Sequence, residues 1–226
     1  MSEPGSRRGR AHDAQGAREA ILNAAEAVFA EHGFDGARID AIAAKAGYNK
    51  SLIFQYFGDK LGLYAQVVRR ADAEMSGLQT QMMAAFNEEG AAASADKLRA
   101  LLRTFMCVYF DYLVSHPRFA RILLWEMAEG WQTMAKIFSQ RDVDDIKQFK
   151  PFLDQVRSAG LLRSDFDPVA QIMMIEFLYP CYLAILPLYR IFLPGEELSS
   201  ATALERARDY IVEFVIHGMV ADPAHA

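Results

Sequence analysis

From Arg18 to His32 the apolar positions Ile21, Ala25, Val28 and Phe29 fall on one helical face, and Gly33 follows as a stop. Ile39, Ile42, Ala43 and Ala46 repeat the i, i+3, i+4, i+7 spacing of a second helix, which Gly47 ends. Asn49 is suited to cap a third helix running to Phe57 before Gly58, and Asp59 to cap a fourth, long helix reaching about Asn87. Beyond a small-residue loop near 89–95 the pattern predicts helices near 96–115, 118–128, 142–159, 168–190 and 200–219. Pro117 fits the first turn of its helix, while Gly160 and Asp167-Pro168 mark a turn and a restart. Strand-like alternation is nearly absent and no internal repeat occurs. The expected fold is all-α, with about nine helices: a three-helix domain over 17–62 and a larger helical domain over 63–226.

Residues 1–16 are polar and Gly-rich, with Arg7, Arg8 and Arg10, so a disordered tail is expected there. Such a tail either solubilises the chain or acts as a basic arm on DNA phosphates or a minor groove. The composition, 52% hydrophobic and 23% charged, is that of a globular protein with a sizeable core. The formal net charge is −5, which excludes a chain-wide affinity for polyanions. Residues 1–60 carry eight basic and eight acidic residues, so the negative total belongs to 61–226 and any nucleic-acid site is local.

Cys107 and Cys181 both sit in apolar runs, which favours reduced thiols in a cytoplasmic protein over a disulfide framework. Residues 1–19 lack the apolar core of a signal peptide. The stretch 172–193 has the length of a membrane span, but Glu176, Pro180, Pro187 and Arg190 interrupt it, so a buried helix is expected and no membrane partner.

The second and third helices, joined by a short turn at Gly47, form a helix-turn-helix pattern. In that arrangement the second helix enters the major groove with its N-terminal residues at the base edges. Here those residues are Lys50, Ser51 and Leu52, with Gln55 one turn on. Lysine can donate to guanine O6 or N7, glutamine can pair with adenine, and leucine can pack on a thymine methyl. Tyr56 and Lys60 fall where the helix would leave the groove, and both suit a phosphate. Ile53 and Phe57 supply the inward face. Any short amphipathic helix also has a polar outer face, so spacing alone leaves a purely structural hairpin open.

Residues 18–64, REAILNAAEAVFAEHGFDGARIDAIAAKAGYNKSLIFQYFGDKLGLY, resemble the N-terminal domain of the TetR family of bacterial transcription regulators. The likeness rests on ILNAAEAVFAEHGF, then IDAIAAKAG, then the run from Asn49 through Tyr56-Phe57 to Asp59-Lys60 and Leu63. The resemblance implies a homodimer binding a palindromic double-stranded operator through two recognition helices. It also implies DNA contacts at Lys50, Leu52, Phe54, Gln55, Tyr56 and Lys60; Arg38, Tyr48, Asn49 and Ser51 complete the candidate DNA-binding set. Arg38 stands where the family usually has a Thr or Ser cap, and Phe54 where it usually has Tyr.

For the remainder, the resemblance implies a helical ligand-sensing and dimerisation domain. Met106, Tyr109, Phe110, Trp125, Trp131, Met173 and Phe177 are candidate ligand-binding residues, since thioethers and rings can line an apolar or aromatic pocket. Any one of them is more readily read as core. Glu126, with Glu129 and Glu176, is an acidic residue in an apolar segment; it can answer a cationic effector or pair with Arg118 or Arg121. Phe177, Tyr182, Tyr210, Phe214 and Met219, on the last two helices, are candidate dimerisation residues, because one subunit alone would struggle to bury those faces.

Catalysis is not expected. No HExxH, GxSxG, GxGxxG or P-loop occurs, and His12, His32, His116, His217 and His225 are scattered without ligand spacing, so neither cofactor nor metal is implied. Asp142, Asp144 and Asp145 read as a charged helix N-terminus. The expected function is a ligand-responsive transcriptional regulator, a repressor released by a small apolar or aromatic effector. The alternative is a helical ligand-binding protein whose hairpin no longer binds DNA.

Overall fold

Apolar residues three and four apart bind the first helix to its neighbours, and its full extent is longer than that spacing requires. In the computed structural model α1 spans Gly5–Gly36 and is broken at Gly33, whose φ is 68°. The structure describes residues 5–71, 73, 77, 94–139, 151, 154–163 and 167–221, with side chains from residue 14 onward except 168, 169, 171, 172, 175 and 176. The polar composition of 1–16 predicts a disordered tail, yet α1 begins at Gly5. The correction has a local reason: no proline lies between Gly5 and Gly33, and Arg, Ala and Gln there are good helix formers.

The next elements follow the pattern closely. They are α2 (Ile39–Ala46), α3 (Lys50–Phe57) and a fourth helix, α4, over 60–71. Asp59 caps α4 as expected, its Oδ1 accepting from the Gly62 N–H at 2.6 Å. The expected reach of α4 to about Asn87 lies outside the described residues. Then come α5 (Ala95–Ser115), α6 (Pro117–Ala128), α7 (Gln132–Ser139), a helix α8 described at 151 and 154–158, α9 (Pro168–Phe192) and α10 (Ala201–Met219).

Helix α7 is the element the pattern does not predict, and with it the described residues show ten helices where about nine are expected. Two consecutive left-handed residues, Gly130 (φ 71°) and Trp131 (φ 61°), separate it from α6 and mask its short apolar face. Much of the expected helix at 142–159 lies outside the described residues. Among the described residues no strand forms; Leu162 and Val220 make a single antiparallel bridge.

The chain divides into two compact units that do not follow sequence order: 1–73 with 118–141, and 74–117 with 142–226. The boundary expected at residue 62 therefore moves, and the α6–α7 hairpin belongs with the first unit. That unit is built on Ile21, Phe29, Ile42, Ile53, Leu63 and Tyr64, all fully buried. The Tyr64 ring meets Phe29 edge-on at 4.8 Å and Phe34 at 5.1 Å.

The second unit packs α5, α9 and α10 around Met106, Phe110, Leu113, Tyr179, Val212 and Val215. Ion pairs join α5 to α10: Arg208 holds both carboxyl oxygens of Asp111 at 3.0 Å, and Arg103 pairs with Glu213. No helix among the described residues is long and apolar enough to cross a membrane.

Candidate nucleic-acid interface

Backbone chemistry places the recognition helix. Gly47 adopts φ 74° and ψ 22°, a left-handed conformation that lets its N–H reach back to the Ala43 carbonyl. The Tyr48 N–H bonds the same carbonyl at 3.2 Å, so the chain leaves α2 in a tight stop. A side chain at position 47 would meet no atom within 4 Å, so the dihedral and not space calls for glycine. Two residues later Asn49 starts α3, its Oδ1 accepting from the Leu52 N–H at 2.9 Å.

Packing then orients α3. Ile53 and Phe57 are buried, and the Arg18 guanidinium lies over the Phe57 ring at 5.5 Å, tying α3 to α1. Lys50, at the open end of α3, and Ser51, Phe54 and Gln55 are exposed, Phe54 to 45%. Tyr48 and Asn49 are exposed just ahead of them, while Leu52 and Tyr56 sit half-buried at the flanks. Nine of the ten expected DNA-binding residues thus lie within one turn-and-helix segment or at its margin.

Two members behave differently from the expectation of a free phosphate donor. The Lys60 ammonium donates to the Asp35 carbonyl at 3.2 Å and lies 4.7 Å over the Phe34 ring. Burial lowers its pKa, against the opposing pull of Asp35 and Glu129. Arg38, at the N-cap of α2, makes no side-chain cap; its carbonyl accepts from Ala41 and Ile42 at 3.0 and 3.2 Å, as any residue's would. Its guanidinium is exposed on the same unit. Pattern reasoning missed Asp40, whose carboxylate forms an ion pair with Lys50 across the turn. Ten residues of separation give no periodic signal for that pair.

The candidate ligand residues separate between the two units. Met106, Tyr109 and Phe110 lie in the second, where Tyr179 meets Phe110 edge-on at 5.1 Å and Tyr109 at 5.8 Å. The Tyr179 hydroxyl is fully buried without a hydrogen-bond partner, and burial pushes its pKa well up. Met173 and Phe177 are exposed on α9. Trp125, Glu126 and Trp131 lie in the first unit.

There Glu126, only 1% exposed, accepts from the Tyr64 hydroxyl at 2.6 Å and from the Met134 N–H at 3.0 Å. These partners stand where Arg118, Arg121 or a cationic effector is expected. The Trp125 indole donates to the Ala30 carbonyl at 3.3 Å. The Glu176 side chain is outside those described.

Of the candidate dimerisation residues, Phe177, Tyr210 and Phe214 are exposed, the last two flanking an open groove of about 510 Å³ between α9 and α10. Met219 is instead 2% exposed, because it turns into the core beside Val215 and Ile216. Tyr182 is half-buried, its ring 6.3 Å from Phe110. No group of three or more His, Cys, Asp or Glu that could hold a metal occurs among the described residues.

Comparison with known proteins agrees with this geometry. Residues 21–67 match the family described as bacterial regulatory proteins, tetR family, and residues 99–215 match the tetracyclin repressor-like C-terminal domain. The chain is 30% identical to the HTH-type transcriptional repressor NicS of Pseudomonas putida, over 76% of this chain and 77% of that protein. It is 35% identical to the HTH-type transcriptional repressor SCO4008 of Streptomyces coelicolor, over 53% of this chain and 54% of that protein. The solved structure of HlyIIR, a hemolysin II transcriptional regulator, aligns with a TM-score of 0.62 at 19% identity, over 92% of this chain and 99% of that one, a likeness of fold. These matches name regulators and repressors rather than enzymes. The chain belongs to the TetR family and is a helix-turn-helix, DNA-binding transcriptional regulator.

Proposed function

We propose that the protein is a homodimeric cytoplasmic repressor that binds a palindromic operator through α3 and is released by a small effector held in the second unit. The observation that carries the operator reading is that Lys50, Ser51, Phe54 and Gln55 of α3 are exposed together just after the Gly47 turn. Lys50 and Gln55 read base edges, Phe54 and Leu52 meet thymine methyls, and Tyr56 and Arg38 face phosphates, joined by Lys60 when a phosphate takes the place of the Asp35 carbonyl. Two copies with recognition helices about 34–36 Å apart enter successive major grooves.

The exposed aromatics Phe177, Tyr210 and Phe214 support α9 and α10 as the dimer face. The aromatic cluster of Tyr109, Phe110 and Tyr179 supports an apolar or aromatic effector. The names of NicS and SCO4008 support repression over activation. Effector and operator are coupled equilibria, so an effector that weakens DNA binding is itself bound more weakly by the operator complex, by the same factor.

The test is selection of bound sequences from a random duplex pool by the purified protein. Recovery of a palindrome is expected. No enrichment at low salt sinks the operator reading and leaves a ligand-binding protein with a structural hairpin.

A further inference from the structure

The ion pair between Lys50 and Asp40 is a contact that the operator reading does not absorb. Lys50 is the first residue of α3 and Asp40 the second of α2, so the pair bridges the first turns of the two helices. Both side chains remain open to solvent, Lys50 to 52% and Asp40 to 69%. Asp40 is also the only acidic residue in the first turn of α2, and α3 has none in its own. A carboxylate on a surface that meets a polyanion weakens attraction to every duplex alike. Its tie to Lys50 gives that charge a second effect.

We infer that Asp40 is a positioning residue for base reading: it holds the Lys50 ammonium at the head of α3 and keeps it from sequence-independent phosphate contacts. The inference rests on the reading of Lys50 as a base-edge donor. A lysine is a flexible point charge on a four-carbon stem, and left alone it follows the nearest phosphate. Paired with Asp40, it is neutralised toward a passing backbone, and its swing is limited to the end of α3 that meets base edges. A guanine edge presents two acceptors, O6 and N7, within reach of that end, and a partner there can replace the carboxylate. The same carboxylate faces any other base or backbone group as an unrelieved negative charge. Discrimination thus comes from what Asp40 opposes as much as from what Lys50 attracts.

The experiment compares wild type, Asp40→Asn and Asp40→Glu, each alone and with Lys50→Met. Binding is measured on the selected operator and on a random duplex across a salt series, with thermal melting as a check on folding. Asp40→Asn is expected to tighten random-duplex binding and steepen its salt slope by about one unit, the mark of one more phosphate-bound cation. The operator-to-random affinity ratio is expected to fall about fivefold, the low end of what one base contact discriminates. Asp40→Glu should keep the ratio, and in the Lys50→Met background Asp40→Asn should leave it unchanged.

Equal changes on both duplexes, or the same change without Lys50, overturn the positioning role while leaving the operator reading intact. Loss of affinity for both with a lowered melting temperature also overturns it, in favour of Asp40 acting only on the α2 dipole. Wild type that enriches no sequence overturns the operator reading, and this inference with it.

Discussion

The Tyr64 hydroxyl donates to Oε1 of Glu126 at 2.6 Å, across 62 residues of chain, inside the unit that carries the recognition helix. The other carboxyl oxygen accepts from the Met134 N–H at the start of α7. One buried side chain thus ties α4 of the DNA-binding head to the α6–α7 hairpin. Nearby, the Trp125 indole reaches the Ala30 carbonyl near the end of α1.

Glu126→Ala leaves a buried phenol and a buried backbone N–H without an acceptor, and should cost about 3 kcal/mol. Glu126→Gln keeps one acceptor oxygen and should cost about 1 kcal/mol. The protein's two tryptophans, Trp125 and Trp131, both lie in this unit, so tryptophan fluorescence in urea follows its unfolding specifically. Equal losses from the two variants would show that the hydrogen bonds do not set the stability of this contact.

Gly33 and Gly47 both have left-handed φ, 68° and 74°, but differ in surroundings. A Cβ at Gly47 meets nothing within 4 Å, so Gly47→Ala should cost only the dihedral strain, about 1 kcal/mol. A Cβ at Gly33 would lie 3.0 Å from the Trp125 ring and 3.1 Å from Oε1 of Glu129. Gly33→Ala should therefore cost more, about 2–3 kcal/mol, by adding displacement of the hairpin to the strain. Urea midpoints read by the same fluorescence decide the order; a larger loss at Gly47 contradicts the close approach at Gly33.

The buried Tyr179 hydroxyl makes no hydrogen bond, so Tyr179→Phe should stabilise the second unit by about 1 kcal/mol. Tyr64 and Tyr179 both have pKa values raised by burial, with Glu126 adding to the effect at Tyr64. In the unfolded chain these phenols titrate at about pH 10. A raised folded pKa means that no ionisation penalty acts below that value and that stability is lost as pH rises above it. Stability should fall steeply above about pH 10, and less so in the Tyr64→Phe, Tyr179→Phe double variant. A stability profile of the double variant that superimposes on wild type contradicts the raised values.

How much of this was legible in the sequence depends on the range over which each feature is fixed. The Gly47 stop and the Asn49 cap are bonds between residues three to five apart, and the residue types alone predict them. Glu126 illustrates the opposite case. Its partner lies on another helix 62 residues away, so a lone acid in an apolar run reads equally well as a ligand group. The same distance effect hides the union of 118–141 with the head. On α9 and α10 the apolar pattern marks too many faces: it cannot separate Phe214, exposed, from Met219, buried.

On α3, the exposed and flanking residues should separate by the kind of loss they cause. Lys50→Ala and Gln55→Ala should redraw the preferred sequence, because base-edge donors carry the discrimination. Tyr56→Phe should weaken all duplexes to a similar degree, since a phosphate contact carries no sequence information. Selection from a random pool with each variant reads the difference directly. A uniform loss from all three would remove the base-reading roles and leave only electrostatic attachment.

The exposed aromatics of the second unit give the proposed dimer its sharpest test. Phe177 is 55% exposed, Phe214 63% and Tyr210 73%, and these exposures support the proposed dimer face. Replacing Tyr210 and Phe214 by glutamate removes two large anchors and sets charges against an apolar groove. Each such anchor is worth about 2 kcal/mol or more in an interface, so the dimer dissociation constant should rise at least about a thousandfold. Sedimentation should show wild type as a dimer and the double variant as a folded monomer at micromolar concentration. The monomer should bind a palindrome no better than a single half-site, because the second recognition helix is then no longer tethered to the first. A double variant that still sediments as a dimer would move the interface away from this face of α9 and α10.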